Sequence, residues 1–151
     1  MVFVIFISML YAGLFNNSRL VHSPLIDKKL PEFSLPVLQS NITADMSTFA
    51  DDIFLLNIWA SWCIECIREH RVLNLIKDEK KVRLIGINYK DSKIDAVGWL
   101  KIYGNPYEYN IFDKAGQLGI DLGVYGVPET FLIDKNKVIR AKYIGVINED
   151  I

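Results

Sequence analysis

Residues Ile53 to Cys66 read IFLLNIWASWCIEC, and the fold follows from the way this stretch changes character. From Ile53 to Ala60 the run is apolar except for Asn57, the pattern of a strand covered on both faces in the middle of a sheet. From Cys63 to Lys77 the Ile, Leu, Arg and Glu residues recur at helical spacing. A second buried strand follows at Val82 to Tyr89 (VRLIGINY). Strand, helix and strand within about 37 residues make a βαβ unit with a right-handed crossover.

The rest of the chain extends that unit. Ser92 is placed to cap a second helix carrying Ile94, Val97, Leu100 and Tyr103, which Gly104-Asn105-Pro106 ends. Ile111-Phe112 reads as a short strand, Lys114-Ala115-Gly116 as a turn, and Leu118 to Leu122 as one or two helical turns. Thr130 to Asp134 (TFLID) and Val138 to Ile144 (VIRAKYI) flank Lys135-Asn136-Lys137, a hairpin with a three-residue turn. Upstream, Phe33, Leu35 and Val37 alternate with Ser34 and Pro36 as a short edge strand, and Gln39 to Asp52 reads as loop with a weak local turn. The expected architecture is α/β: one mixed central sheet flanked by helices on both faces.

Composition narrows the function. The 151 residues are 51% apolar and 23% charged, the usual shares of a single globular domain. A net charge of −1 with no basic block argues against a nucleic-acid binder, which needs Lys/Arg to neutralise phosphates. The stretch from Met1 to Phe15 is MVFVIFISMLYAGLF, with no charge until Arg19. Eighteen helical residues reach about 27 Å, slightly short of a hydrocarbon core of about 30 Å. The expected organisation is a membrane signal anchor over residues 1–18, a linker over 19–29 and the folded domain over 30–151. A cleaved signal peptide and a buried core helix are the competing readings of the first segment. Arg19, Lys28 and Lys29 follow the apolar run, so the positive-inside rule alone would leave the domain in the cytoplasm.

The chemistry is expected at Trp62-Cys63-Ile64-Glu65-Cys66, where the buried strand ends and the helix begins. A thiol there meets the free N–H groups of the first helical turn and the positive end of the helix dipole, both of which favour the thiolate. Cys63 would attack, and Cys66, one turn further in, would resolve the mixed disulfide. Two structural cysteines are one alternative. Another is a zinc site using Cys63, Cys66 and His70, for which the only further histidine is His22. His70 is expected to be a partly exposed helix residue. No metal is assigned.

WASWCIEC resembles the active site of thioredoxin-fold proteins. Together with Arg68-Glu69-His70, INYKD (Ile87 to Asp91), GNPY (Gly104 to Tyr107) and LGVYGVPETFLID (Leu122 to Asp134), it resembles a narrower family. That family is the membrane-anchored thiol:disulfide interchange proteins of cytochrome c maturation, known as CcmG or DsbE. The resemblance spans about Leu30 to Gly145. It implies a thioredoxin-like fold and catalytic roles for Cys63 (nucleophile), Cys66 (resolving), Glu69, Pro128 and Glu129. It further implies a cis Val127–Pro128 bond, acidic residues Glu69 and Glu129 near the dithiol, and a redox-active Cys63–Cys66 disulfide needing no cofactor. Trp62, Tyr125 and Val127 are expected at the substrate-binding surface. Ile64 departs from the proline common after the first cysteine, and Asn57 stands where thioredoxin has a buried Asp. The family's closing helix would begin about Ile151 and is expected to be missing.

The implied function is a thiol:disulfide oxidoreductase of the bacterial inner membrane, its domain facing the periplasm. It would reduce apocytochrome c or a cytochrome c maturation protein and be re-reduced by a membrane reductant of the DsbD/CcdA type. A general extracytoplasmic reductase of the TlpA/ResA kind and an apocytochrome-binding module with incidental thiols are the alternatives.

Overall fold

Strand β3 (Phe54–Trp59) is the middle of a five-stranded sheet of order β5-β4-β3-β6-β7, with β4 at Arg83–Tyr89, β5 at Tyr109–Asp113, β6 at Glu129–Ile133 and β7 at Ile139–Ile144. The computed structural model describes residues 2–14, 23–49, 52–79 and 82–148. β3 runs parallel to β4 and antiparallel to β6, so the sheet is mixed. The unbroken apolar run of β3 is explained by that central position. Phe54, Leu56 and Ile58 pack into one core with Ile85, Ile87 and Phe131, while Trp59 packs on the opposite face.

Helix α2 (Ile64–Asp78) crosses from β3 to β4, and α3 (Lys93–Tyr103) crosses from β4 to β5. Leu73 of α2 and Ala96, Trp99 and Leu100 of α3 cover the face that carries Trp59 and Leu84. The other face is covered by Leu118 and Leu122 around α4 (Gln117–Asp121) and by Leu30, Val37 and Phe49 from upstream. The expectation of one mixed sheet flanked by helices on both faces therefore holds.

Two expectations differ from the structure, while the short edge strand is present. The Phe33–Val37 segment supplies β1 (Ser34–Pro36), which pairs antiparallel with β2 (Thr43–Asp45) in a separate two-stranded sheet. The second of these strands and the capped 3-10 turn after it, Met46–Thr48, lie in the stretch read as loop. His70 is buried rather than partly exposed: its Nε2 lies 2.9 Å from the Gly104 carbonyl and its ring meets Trp99 edge-on at 4.4 Å. Burial holds the His70 imidazole below its usual pKa, and the Gly104 carbonyl opposes that effect.

At the N-terminus, α1 (Val2–Leu14) is an apolar helix of 13 residues, about 20 Å long. Among the described residues no helix is long and apolar enough to cross a membrane. Residues 15–18 of the expected anchor and residues 19–22 of the expected linker, His22 among them, lie outside the described residues, as do 149–151.

Gly86 marks a tight point beside the aromatic residues Trp59 and Tyr107. A Cβ there would sit 2.8 Å from Asn110 Oδ1, 2.9 Å from Trp59 Nε1 and 2.9 Å from Tyr107 Cγ. The two aromatic neighbours are held by stacking, Trp59 on Trp99 at 4.9 Å and Trp59 on Tyr107 at 5.8 Å. Gly86→Ala should therefore lower unfolding stability by about 1–3 kcal/mol through overpacking, measured by urea denaturation. An unchanged midpoint would show that the aromatic stack yields without cost.

Candidate active site

β3 delivers the chain to a turn at Ala60-Ser61-Trp62, and one carboxylate fixes that turn. Asp91, just past β4, accepts from Ser61 N at 2.6 Å, Ser61 Oγ at 2.7 Å, Asn88 Nδ2 at 2.8 Å and Ser92 N at 2.7 Å. Each carboxylate oxygen thus takes two donors, which suits its lone pairs. Trp62 donates from Nε1 to the Lys90 carbonyl at 3.0 Å and leaves 57% of its surface exposed.

Cys63 is the N-cap of α2, and its Sγ accepts from Cys66 N at 3.0 Å. The two cysteines form a disulfide with Cα atoms 5.4 Å apart. Both are buried, Cys63 at 5% exposure and Cys66 at 1%. The Val127–Pro128 peptide is cis, and the Val127 carbonyl oxygen lies 3.5 Å from Cys63 Sγ. An open cleft of about 390 Å³ runs beside it, between Glu65 and Arg68 of α2 and Gly126, Val127, Pro128 and Gly145. Exposed Ile64 and Tyr125 are apolar neighbours of these segments. A larger cleft of about 530 Å³, lined by Arg83, Tyr107 and Glu108, lies at the other end of β4 and contains neither cysteine.

The two acidic residues occupy different environments. Glu69 follows Cys66 by one turn on the buried stripe of α2 and is fully covered. Its Oε1 accepts from Asn57 Nδ2 at 2.8 Å, and its Oε2 takes a longer bond from Ile147 N at 3.4 Å. Burial pushes the Glu69 carboxyl up to about 7, only partly offset by these two donors. Asn57 also donates to Thr130 Oγ1 at 3.0 Å, and its Oδ1 accepts from Tyr107 OH at 2.7 Å. Burial likewise holds the Tyr107 hydroxyl well above its usual pKa, so it stays a donor.

Glu129 is equally buried but is not a bare carboxylate. Its Oε1 accepts from Tyr125 N at 2.8 Å and Gly126 N at 3.3 Å, and its Oε2 forms an ion pair with Lys142 Nζ at 2.9 Å. Lys142 is absent from the sequence expectations, yet only 2% of it is exposed. Glu65, by contrast, lies on the surface and pairs with Arg68 at 3.0 Å. Among the described residues no group of three His, Cys, Asp or Glu side chains is arranged to hold a metal ion.

A dithiol–disulfide pair at a helix N-terminus, faced by a cis-proline loop, can exchange disulfides. The chain matches the Redoxin family over residues 26–150. In structure it resembles a thiol:disulfide interchange protein DsbE, described as putative, from Chlorobium tepidum. The TM-score is 0.71 at 28% identity, over 83% of this chain and 89% of that one. Fold and site thus define a thiol–disulfide oxidoreductase of thioredoxin-like architecture. The protein named thiol:disulfide interchange protein DsbE in Pseudomonas fluorescens biotype C is 46% identical over 140 residues, 93% of this chain and 78% of that protein. The DsbE protein of Escherichia coli K12 is 46% identical over 131 residues, 85% and 70% respectively. The chain belongs to the DsbE family of thiol:disulfide interchange proteins.

The raised Glu69 pKa has a measurable consequence. Between pH 4.5, the ordinary value, and about 7, the native state keeps a proton that the unfolded chain releases. Stability must then fall as pH rises through that window, by about 3 kcal/mol from this group. Denaturation of the oxidised protein from pH 4 to 8 should show Glu69→Gln gaining on the wild type by that amount as pH rises. Parallel curves would mean that Glu69 ionises normally.

Proposed function

We propose that this chain is a membrane-tethered, periplasm-facing reductase that supplies electrons to apocytochrome c, or to a cytochrome c maturation protein, during assembly of c-type cytochromes. The observation that carries the exchange chemistry is Glu69, a fully buried carboxyl that burial pushes up to about 7, one helical turn from the equally buried Cys66. In the reduced protein the Cys63 thiolate, favoured by the Cys66 N–H and the helix dipole, attacks the client disulfide. A Cys63–client disulfide forms and one client thiolate leaves. Cys66 gives its proton to the Glu69 carboxylate and attacks Cys63 Sγ. The second client thiol leaves, and two electrons have passed to the client. The product is the Cys63–Cys66 disulfide. A carboxyl near pKa 7 suits this step because it can take and return the proton at neutral pH.

Trp62, Ile64, Tyr125 and the cleft at Val127–Pro128 form the client surface, with the Val127 carbonyl offered to the client backbone. Pro128 and Glu129 hold that loop. The sulfurs carry the electrons without a further cofactor, and a DsbD/CcdA-type membrane protein returns them. The cytochrome client follows from the family resemblance and from chemistry. Haem attachment needs free thiols, and the periplasm is oxidising, so a dedicated reductant is required there. Residues 1–18, α1 included, serve as an inner-membrane anchor, and the linker over 19–29 joins it to the domain.

Cys66→Ser leaves Cys63 unable to resolve its mixed disulfides. Expressed in cells, it should accumulate adducts in the inner-membrane fraction whose partners carry a Cys-x-x-Cys-His sequence or assemble such proteins. Adducts with unrelated secreted proteins would point instead to a general reductase of the TlpA/ResA kind. A protein that still supports cytochrome assembly with both Cys63 and Cys66 replaced would be a binding module.

A further inference from the structure

Lys142 is a buried cation with four ties, all at or near the loop that faces the disulfide. Its Nζ is 2.9 Å from Glu129 Oε2, donates to the Gly123 carbonyl at 2.6 Å, and lies 4.6 Å from the Tyr125 ring centre and 5.3 Å from that of Phe131. Its side chain is 1% exposed and that of Glu129 is 0%. Glu129 in turn holds the Tyr125 and Gly126 amides. The segment 123–126 is therefore tied at a carbonyl, at two amides and at an aromatic ring to one ion pair anchored on β6 and β7.

We propose that Lys142 is a positioning residue for client binding. Its ammonium sets the Gly123–Pro128 loop, and with it the Val127 carbonyl 3.5 Å from Cys63 Sγ, while cancelling the charge of Glu129. The pair is an interior strut and takes no part in proton transfer, which leaves Glu69 to serve Cys66. Tyr125 belongs to the same device. Its ring caps the ammonium on one side, and the residue is 77% exposed, so the cation orients an aromatic surface that a client meets. The proposal rests on disulfide exchange at Cys63–Cys66 and not on the identity of the client.

The test is saturation kinetics of the reduced protein with two disulfide-bonded peptides, one Cys-x-x-Cys-His and one Cys-x-x-Cys without the histidine. The variants are Lys142→Arg, Lys142→Met and the double variant Lys142→Met/Glu129→Gln. The double variant carries no charge at either position of the pair, and the side-chain amide oxygen that Glu129→Gln supplies can still accept from the loop amides. It keeps the experiment readable if Lys142→Met alone unfolds, because an unpaired buried carboxylate is strongly destabilising. Positioning predicts a KM raised at least fivefold in the double variant with kcat within twofold, and Lys142→Arg within twofold of wild type in both. An unchanged KM in the double variant would overturn the proposal by reducing Lys142 to a structural residue. A fall in kcat at constant KM would overturn it too, by placing the effect on the thiols. Equal use of both peptides by the wild type would count against the cytochrome client and leave the Lys142 comparison intact.

Discussion

One hydrogen bond organises the interior of this protein: Asn57 Nδ2 to Glu69 Oε1, 2.8 Å, between the central strand and the helix that begins at the disulfide. A carboxyl with no exposed surface cannot ionise as it would in water unless donors replace the lost hydration. Here the donors are few. One is the Asn57 amide, the other a longer contact from Ile147 N. The result is a group poised near neutrality rather than a fixed charge. Asn57 is itself fixed, because Tyr107 donates to its oxygen and Thr130 takes its second N–H. Those two partners come from the segment ahead of β5 and from β6, so the sheet neighbours and the α3 crossover all bear on one proton.

The sheet serves the disulfide from both faces. Asn57 and Thr130 pair in register across β3 and β6, while the next residues along, Ile58 and Glu129, pair with side chains on the other face. One face thus carries the Glu69 pocket, and the other carries the Glu129–Lys142 strut. The chemistry separates in the same way. Glu69 is uncompensated and titrates near neutral pH. Glu129 is compensated by a lysine and two amides, and it holds a loop. Two buried glutamates thus sit in different surroundings, one held by few donors and the other paired with a lysine.

The βαβ unit is legible in the sequence because β3 and β4 are continuous apolar runs and α2 has a clear start at Cys63. The buried stripe Cys66, Glu69, His70, Leu73 is also written there, at spacings of three, four and seven, so the burial of His70 has a signal in the helical period. β2 has none: Thr43–Asp45 contains one apolar residue, and only pairing with β1 makes it a strand. Lys142 is hidden for a geometric reason. Strict alternation along VIRAKYI puts Lys142 with the exposed Arg140. A register shift opposite Leu132 and Ile133, where Ile139 and Ala141 face consecutive residues, lets Lys142 fall opposite the core residue Phe131. One extra residue in β7 turns a surface lysine into an interior one.

A Glu69 that carries the Cys66 proton must itself titrate near neutral pH. The side-chain carboxyl carbon of Glu69 can be followed by NMR from pH 3 to 9 in the oxidised protein. The expectation is a midpoint near 7, set by burial against the single short Asn57 bond. A midpoint near 4.5, the ordinary glutamate value, would show a carboxylate already ionised and solvated at neutral pH, and would contradict it.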